Sequence, residues 1–211
     1  MKHYKLAILL IPLISIVLAV KGYGFFYRAA VSASCAIILW FMSEHGSNRS
    51  IRWVMAALLV SIAGDWFMSH SGGVPVRFLY GVGLFFVAHI CFLCFCLKNG
   101  SVNRYWLVTL LAAYLTFFFI ALMPFLWSKS VILLVAVLLY LLISCLSLAA
   151  AAGLRLSTAI RWIFTFGIAL LVFSDTIIAL KDFAGYPQLR YLILPTYFLS
   201  HVFVTAALIR K

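Results

Sequence analysis

Acidic side chains are nearly missing from this sequence: Glu44, Asp65, Asp175 and Asp182 are all it has in 211 residues. Charge of either sign is scarce, at 9% of residues, where soluble domains carry about a quarter. That excludes a water-soluble globule. Long polar stretches are missing too. The connections "SEHGSNRS", "SHSGGVPV", "KNGSVN", "PFLWSKS", "AGLRLST" and "KDFAGYPQ" leave no room for a soluble domain. Cysteines are few and odd in number (Cys35, Cys91, Cys94, Cys96 and Cys145) and all fall in apolar runs, so no disulfide framework is expected. On a helix Cys91 and Cys94 share a face while Cys96 points elsewhere, which reads as small-hydrophobe packing and not as a metal site. There is no phosphate loop, no HExxH motif and no Ser-His-Asp set of recognisable spacing. Gly81-x-Gly83 follows no strand, so it is no nucleotide loop. Neither a metal nor any other cofactor is expected.

What is present is apolar surface, 67% of the residues. A bilayer core of ~30 Å takes about 20 apolar residues per helical span. The chain divides into eight such pieces, about 6–22, 25–43, 51–69, 77–97, 104–123, 130–152, 159–181 and 189–209. Gly, Pro, Ser and Asn supply the turns between them. The expected fold is all-α: a polytopic membrane protein of eight transmembrane helices in a compact bundle, forming one integral membrane domain over residues 1–211. The apolar run Leu6 to Val20 is expected to stay as the first helix, although Val17-Leu18-Ala19 would suit a signal-peptide cleavage site.

The net charge of +12 comes from 16 Lys and Arg scattered in ones and twos at helix ends. They form no stripe, so no nucleic acid is expected as a partner. They fit interfacial anchoring and contact with membrane lipids. Ten fall on the side of both termini (Lys2, Lys5, Arg49, Arg52, Lys98, Arg104, Arg155, Arg161, Arg210, Lys211) and six on the other (Lys21, Arg28, Arg77, Lys129, Lys181, Arg190). That bias puts both termini in the cytoplasm.

Two of the four acids lie inside spans, where an ionised Asp costs ~2.5–3.5 kcal/mol on insertion scales. Asp65 lies about 21 Å up the third span and Asp175 about 24 Å up the seventh, at ~1.5 Å per residue. Both spans run the same way, so the two should reach similar depths. The bland reading of Asp65 is a carboxylate bonded to Ser61 or Ser69 on its own helix face. The functional reading is a pair of carboxylates facing one pocket in opposite protonation states, suited to an acetal-like or vinyl ether linkage. Glu44 and Asp182 fall in connections and read as solvated charges. His89, deep in the fourth span, needs a partner; His201 has the same reading with less weight, and His3, His45 and His70 lie near interfaces. Tyr197, Tyr140 and Tyr114 offer phenolic hydrogen bonds into a pocket, with packing as the commoner fate. Arg28 and Arg77 border the outer face, where they can pair with a phosphate or simply snorkel. Trp66, Trp106, Trp127 and Trp162 suit an aromatic belt. Gly64, Gly81, Gly83 and Gly167 read as close helix approach.

An internal repeat is also expected. "GD" at 64–65 is answered by "SD" at 174–175, and Pro75 and Pro187 are each followed 14 residues later by a histidine, His89 and His201. Residues 1–100 and 101–211 would then be parallel pseudo-repeats of four spans each.

"GDWFM", then Phe78, Gly81, Gly83, Phe85, Phe86, Ala88 and His89, then Gly167, Leu170 to Thr176 and Ile178 to Leu180, resemble the YhhN family, bacterial relatives of the animal lysoplasmalogenases. The similarity covers the third to eighth spans. It implies an eight-helix membrane hydrolase in a bacterial inner membrane, acting on a lysophospholipid with a vinyl ether chain and releasing a fatty aldehyde and a glycerophospho-base. The family's aspartates carry over onto Asp65 and Asp175, its histidine onto His89, and a tyrosine of the last span onto Tyr197. The family pattern has a Gln a few residues later, where this chain reads Phe198-Leu199-Ser200-His201. In that chemistry one aspartate is the general acid and the other stabilises the cation and directs water; Asp175, flanked by Leu171, Val172 and Phe173, is the expected acid. The rival readings are a proton-coupled transporter using the same aspartates, against which the absence of proline inside the third and seventh spans counts, and a zinc-dependent hydrolase using Asp65, Asp175, His89 and His201.

Overall fold

The computed structural model describes residues 7–42, 49–72, 74–127 and 131–210. Lys2, His3, Lys5, Leu6, Glu44, His45, Lys129 and Lys211, named above, lie outside that range. The described elements are α1 (Leu10–Val20), α2 (Phe25–Met42), α3 (Ile51–Ser69), α4 (Pro75–Asn99), α5 (Arg104–Leu126), α6 (Val131–Ala152), α7 (Thr158–Phe183) and α8 (Ile193–Leu208). A 3₁₀ turn, Pro187–Leu192, leads into α8. No strand occurs among the described residues; the one extended pairing is an isolated bridge between Gly100 and Leu154.

Seven of these helices, α2 to α8, are long and apolar enough to cross a bilayer, α8 doing so together with its 3₁₀ turn. The chain is an integral membrane protein. The first helix is shorter: 11 residues rise only about 16 Å. Side chains such as Val108, Ile120 and Ile132 stand outward and exposed, as expected where lipid is the surrounding solvent.

The most extensive helix pairings are α3 with α4 and α7 with α8. Each uses glycine to bring backbones close, the usual device where lipid removes the hydrophobic drive between helices. A Cβ at Gly81 would meet Met68 and the Gly64 carbonyl, and one at Gly167 would stand 3.0 Å from the Ser200 carbonyl. Gly83 is different from expectation: a Cβ there meets nothing, because Gly83 faces outward from α4.

Two other boundaries depart from the sequence reading. Pro124 does not end the fifth span. Its missing N–H and ring would break an ordinary helix, but the preceding turn, Phe118–Leu122, is π-helical and wide enough to carry the chain through Met123–Leu126. Asp182 is not in a connection: α7 continues to Phe183, and Asp182 pairs with Lys181 at 3.0 Å on its last turn.

At one end of the bundle the α4–α5 and α6–α7 connections are tied together. Ser101 N–H donates to Gly153 O at 3.2 Å, Arg155 N–H to Asn99 O at 2.9 Å and Asn103 N–H to Ala149 O at 3.1 Å. Asn103 also caps α5, its side chain accepting from the N–H groups of Tyr105 and Trp106. The same end carries Lys98 over the Trp53 ring and Arg161 over Trp162. The opposite end is held by arginines of α2 and α4 that reach the C-terminal turn of α3. Arg28 donates to Ser69 Oγ at 2.9 Å and Arg77 to the His70 carbonyl at 3.0 Å, where a helix terminus favours cations.

Candidate active site

α6 is the most apolar of the spanning helices, yet Tyr140, Ser144 and Ser147 recur on it at intervals of four and three. That spacing puts all three on one face, turned toward α4 and α7. Tyr140 O–H donates to Asp175 Oδ2 at 2.9 Å. The same oxygen lies 2.9 Å from His89 Nε2. The other ring nitrogen, Nδ1, lies 2.9 Å from Ser147 Oγ, and the Ser147 hydroxyl donates to Ser144 O at 3.0 Å. One continuous chain of hydrogen bonds thus runs Ser144, Ser147, His89, Asp175, Tyr140 across α6, α4 and α7. His89 is 1% exposed and the Asp175 side chain 11%. A buried carboxylate needs such partners to be tolerated.

Asp175 and Tyr140 also stand between two hollows. The first, open on one side, is lined by Met68, Phe78, Phe85, Val137 and Phe183 around them. The second lies toward α5 and is lined by Tyr114, Leu122, Ser144 and Thr176. Tyr114 O–H reaches Thr176 Oγ1 at 3.2 Å on the wall of the second hollow. The π-helical turn of α5 borders it through Leu122, as π-bulges often do at functional sites.

Asp65 lines neither of these hollows. It is buried, and Tyr197 O–H donates to its Oδ2 at 3.2 Å. Ser61, one turn earlier on α3, reaches the same hydroxyl, whereas Ser69 is engaged by Arg28. Along these two hollows the two aspartates do not share a wall. On α3 the wall position is Met68, and α8 closes over Asp65 with Tyr197. The link between them is indirect: the Tyr197 hydroxyl lies within electrostatic reach of both carboxylates, and its ring packs on Phe85, a wall of the first hollow, at 5.5 Å between centroids. Arg28 lies within electrostatic reach of Asp65. Neither Arg28 nor Arg77 lines the two hollows.

His201 is fully buried on α8 and pairs through Nδ1 with Ser32 Oγ at 2.9 Å, while its Nε2 has no partner. With one nitrogen already unpaired, loss of the other bond leaves a buried polar ring unsatisfied, at a cost of about 1–3 kcal/mol. Ser32→Ala is expected to lower the melting temperature of the purified protein without touching the Asp175 network; thermal unfolding in detergent checks it. The four residues of the zinc reading do not gather, and no group of three His, Cys, Asp or Glu side chains able to hold a metal occurs among the described residues.

Sequence reasoning named Asp175, His89 and Tyr140, which meet, and Asp65 and Tyr197, which also meet. It missed Ser144, Ser147, Ser32 and Thr176. It also found no Ser-His-Asp set, because Ser147, His89 and Asp175 come from three helices far apart in sequence. The polar face of α6 was the available signal for the two α6 serines: three hydroxyl residues at helical spacing in the most apolar run.

The profile of the YhhN family matches residues 25–208. Proteins named lysoplasmalogenase from Mycobacterium bovis and Mycobacterium tuberculosis are each 36% identical to this chain over 70 residues, covering 31% of this chain and 25% of the relative. The match thus spans a quarter of each relative's length. No solved structure matches.

Proposed function

The chain belongs to the YhhN family, and from that premise we propose that it is a lysoplasmalogenase-like hydrolase acting inside the membrane. The substrate is a lysophospholipid with a vinyl ether chain, and the products are a fatty aldehyde and a glycerophospho-base. The observation that carries this reading is Asp175, a carboxyl held by His89 and Tyr140 yet facing an apolar hollow. A vinyl ether has no charge or strong acceptor at its reacting carbon, so a site for it needs apolar walls and one well-placed acid.

The steps follow from those residues. The alkyl chain lies in the first hollow among Phe78, Phe85 and Val137. Asp175, sharing a proton with His89, transfers it to the alkene carbon remote from oxygen. The resulting oxocarbenium ion carries positive charge on the ether oxygen and adjacent carbon. The carboxylate left on Asp175 stabilises it, with Asp65 and the Tyr197 hydroxyl bonded to it as the proposed further contribution. Water adds to the cationic carbon and returns a proton to the Asp175–His89 pair. The hemiacetal then collapses to the aldehyde and the glyceryl alcohol. Arg28 and Arg77, at the same end of the bundle, are the proposed contacts for the phosphate.

The eight-span arrangement in a bacterial inner membrane, with both termini cytoplasmic, belongs to the same proposal and rests on the Lys and Arg bias. The pseudo-repeat draws support from one correspondence. His89 of the first half bonds through Nδ1 to Ser147 of the second, and His201 of the second half bonds through Nδ1 to Ser32 of the first.

Purified protein given a lysoplasmalogen in mixed micelles should release aldehyde. Proton-coupled flux in liposomes without aldehyde release would instead establish the transporter reading. Tyr197→Phe removes the hydrogen bond to Asp65 and should lower aldehyde release about tenfold, the lower end for a bond to a charged group, with the fold unchanged by circular dichroism.

A further inference from the structure

Ser147 is joined to His89 and Asp175 in the order of a serine hydrolase triad, yet its hydroxyl has a second partner. It donates to Ser144 O, a carbonyl that can only accept, at 3.0 Å. A serine hydroxyl has one proton. With that proton on Ser144 O, the hydroxyl accepts at its 2.9 Å contact with His89, and Nδ1 carries a proton. Ser147 is also completely buried and lines neither hollow, which denies it the access a nucleophile needs.

We propose that Ser147 is a positioning residue that fixes the proton on His89 Nδ1 and so makes the Asp175–His89 contact the store of the transferable proton. With Nδ1–H fixed, a neutral His89 presents a bare Nε2 to Asp175. The 2.9 Å contact between Nε2 and Oδ2 then needs one further proton, either on the carboxyl or on the imidazole. Tyr140 donates to the same oxygen and cannot accept this proton while doing so. If Ser147 did not demand a proton on Nδ1, neutral His89 could carry its single proton on Nε2 and satisfy an ionised Asp175 with no acid left to give. The serine thus favours the two-proton state of the pair, the state that acts on an alkene carbon.

The groups facing this pair from other helices leave that logic intact. Tyr140 on α6 and Tyr114 on α5 are hydroxyls, and the latter is bonded to Thr176. Tyr197 on α8 is bonded to Asp65 on α3. Lys181 and Asp182, about two turns further along α7, pair with each other. The meaning for catalysis rests on the reading above, but the position of the proton does not.

The test is ¹⁵N-histidine NMR of the full chain in detergent near neutral pH, with the His89 resonances identified by their loss in His89→Gln. A protonated Nδ1 is expected in the unaltered protein, and in Ser147→Ala a shift of the proton population toward Nε2. In the same variant aldehyde release should fall, and Ser147→Thr, which keeps the hydroxyl, should restore both the nitrogen pattern and the activity. A His89 carrying its only proton on Nε2 in the unaltered protein overturns the proposal even if Ser147→Ala does not fold. So does a folded Ser147→Ala with unchanged ring nitrogens, or covalent labelling of Ser147 by a fluorophosphonate. Loss of aldehyde release with the expected nitrogen pattern intact would count against the proposed function alone.

Discussion

Asp175→Asn is expected to cut aldehyde release by about 10²- to 10⁴-fold, the worth of a positioned general acid, while the protein melts as before. The amide is nearly isosteric with the carboxyl. With its nitrogen at the Oδ2 position, the amide can donate one N–H to His89 Nε2 and the other to the Tyr140 oxygen, so the two contacts now made at Oδ2 have replacements and the helices stay in place. What the amide cannot do is release a proton to carbon. Asp65→Asn should be milder, because Tyr197 O–H can still donate to the amide oxygen and Asp65 lines neither hollow. Initial rates of aldehyde release beside thermal unfolding of each variant check the pair. Equal losses in both, or full activity in a folded Asp175→Asn, would remove the assigned roles.

Gly153→Val is expected to have the largest effect on folding. A Cβ at Gly153 would overlap the Ser101 carbonyl oxygen and crowd the Asn103 nitrogen, all backbone atoms. Backbone cannot yield as a side-chain tip does, so the tie between the α4–α5 and α6–α7 connections must open. Lost with it are the bonds Ser101 N–H to Gly153 O and Arg155 N–H to Asn99 O. A cost of about 3 kcal/mol, the upper end for overpacking, should appear as a melting temperature several degrees lower. Gly83→Ala is the control. Its Cβ would meet nothing, and alanine is the better helix former by ~1 kcal/mol, so the variant should melt no lower than the parent.

The helices were legible because lipid imposes a simple rule on sequence. Uninterrupted apolar runs of about 20 residues located α2 to α8 to within a few residues. The exception, α5, ran past Pro124 because a π-helical turn relieves the proline's clash, and no local pattern marks such a turn. Intramembrane acids and His89 stood out because each is costly in hydrocarbon. How they pair was not legible. Asp175 meets His89 and Tyr140, and Asp65 meets Tyr197, through contacts between helices distant in the chain; side-chain spacing along one helix says nothing about rotation against another. For the same reason the sequence did not show that Asp65 meets Tyr197 of α8 and stands off the two hollows.

The central claim is that a proton from the Asp175–His89 pair enters the alkene carbon, so that water adds to the former vinyl carbon and the glyceryl oxygen leaves unchanged. Turnover of a lysoplasmalogen by the purified protein in H₂¹⁸O, followed by mass spectrometry of the glycerophospho-base, tests this directly. The account predicts a glycerophospho-base with no ¹⁸O; label in that product would mean attack on the glyceryl carbon and would contradict it.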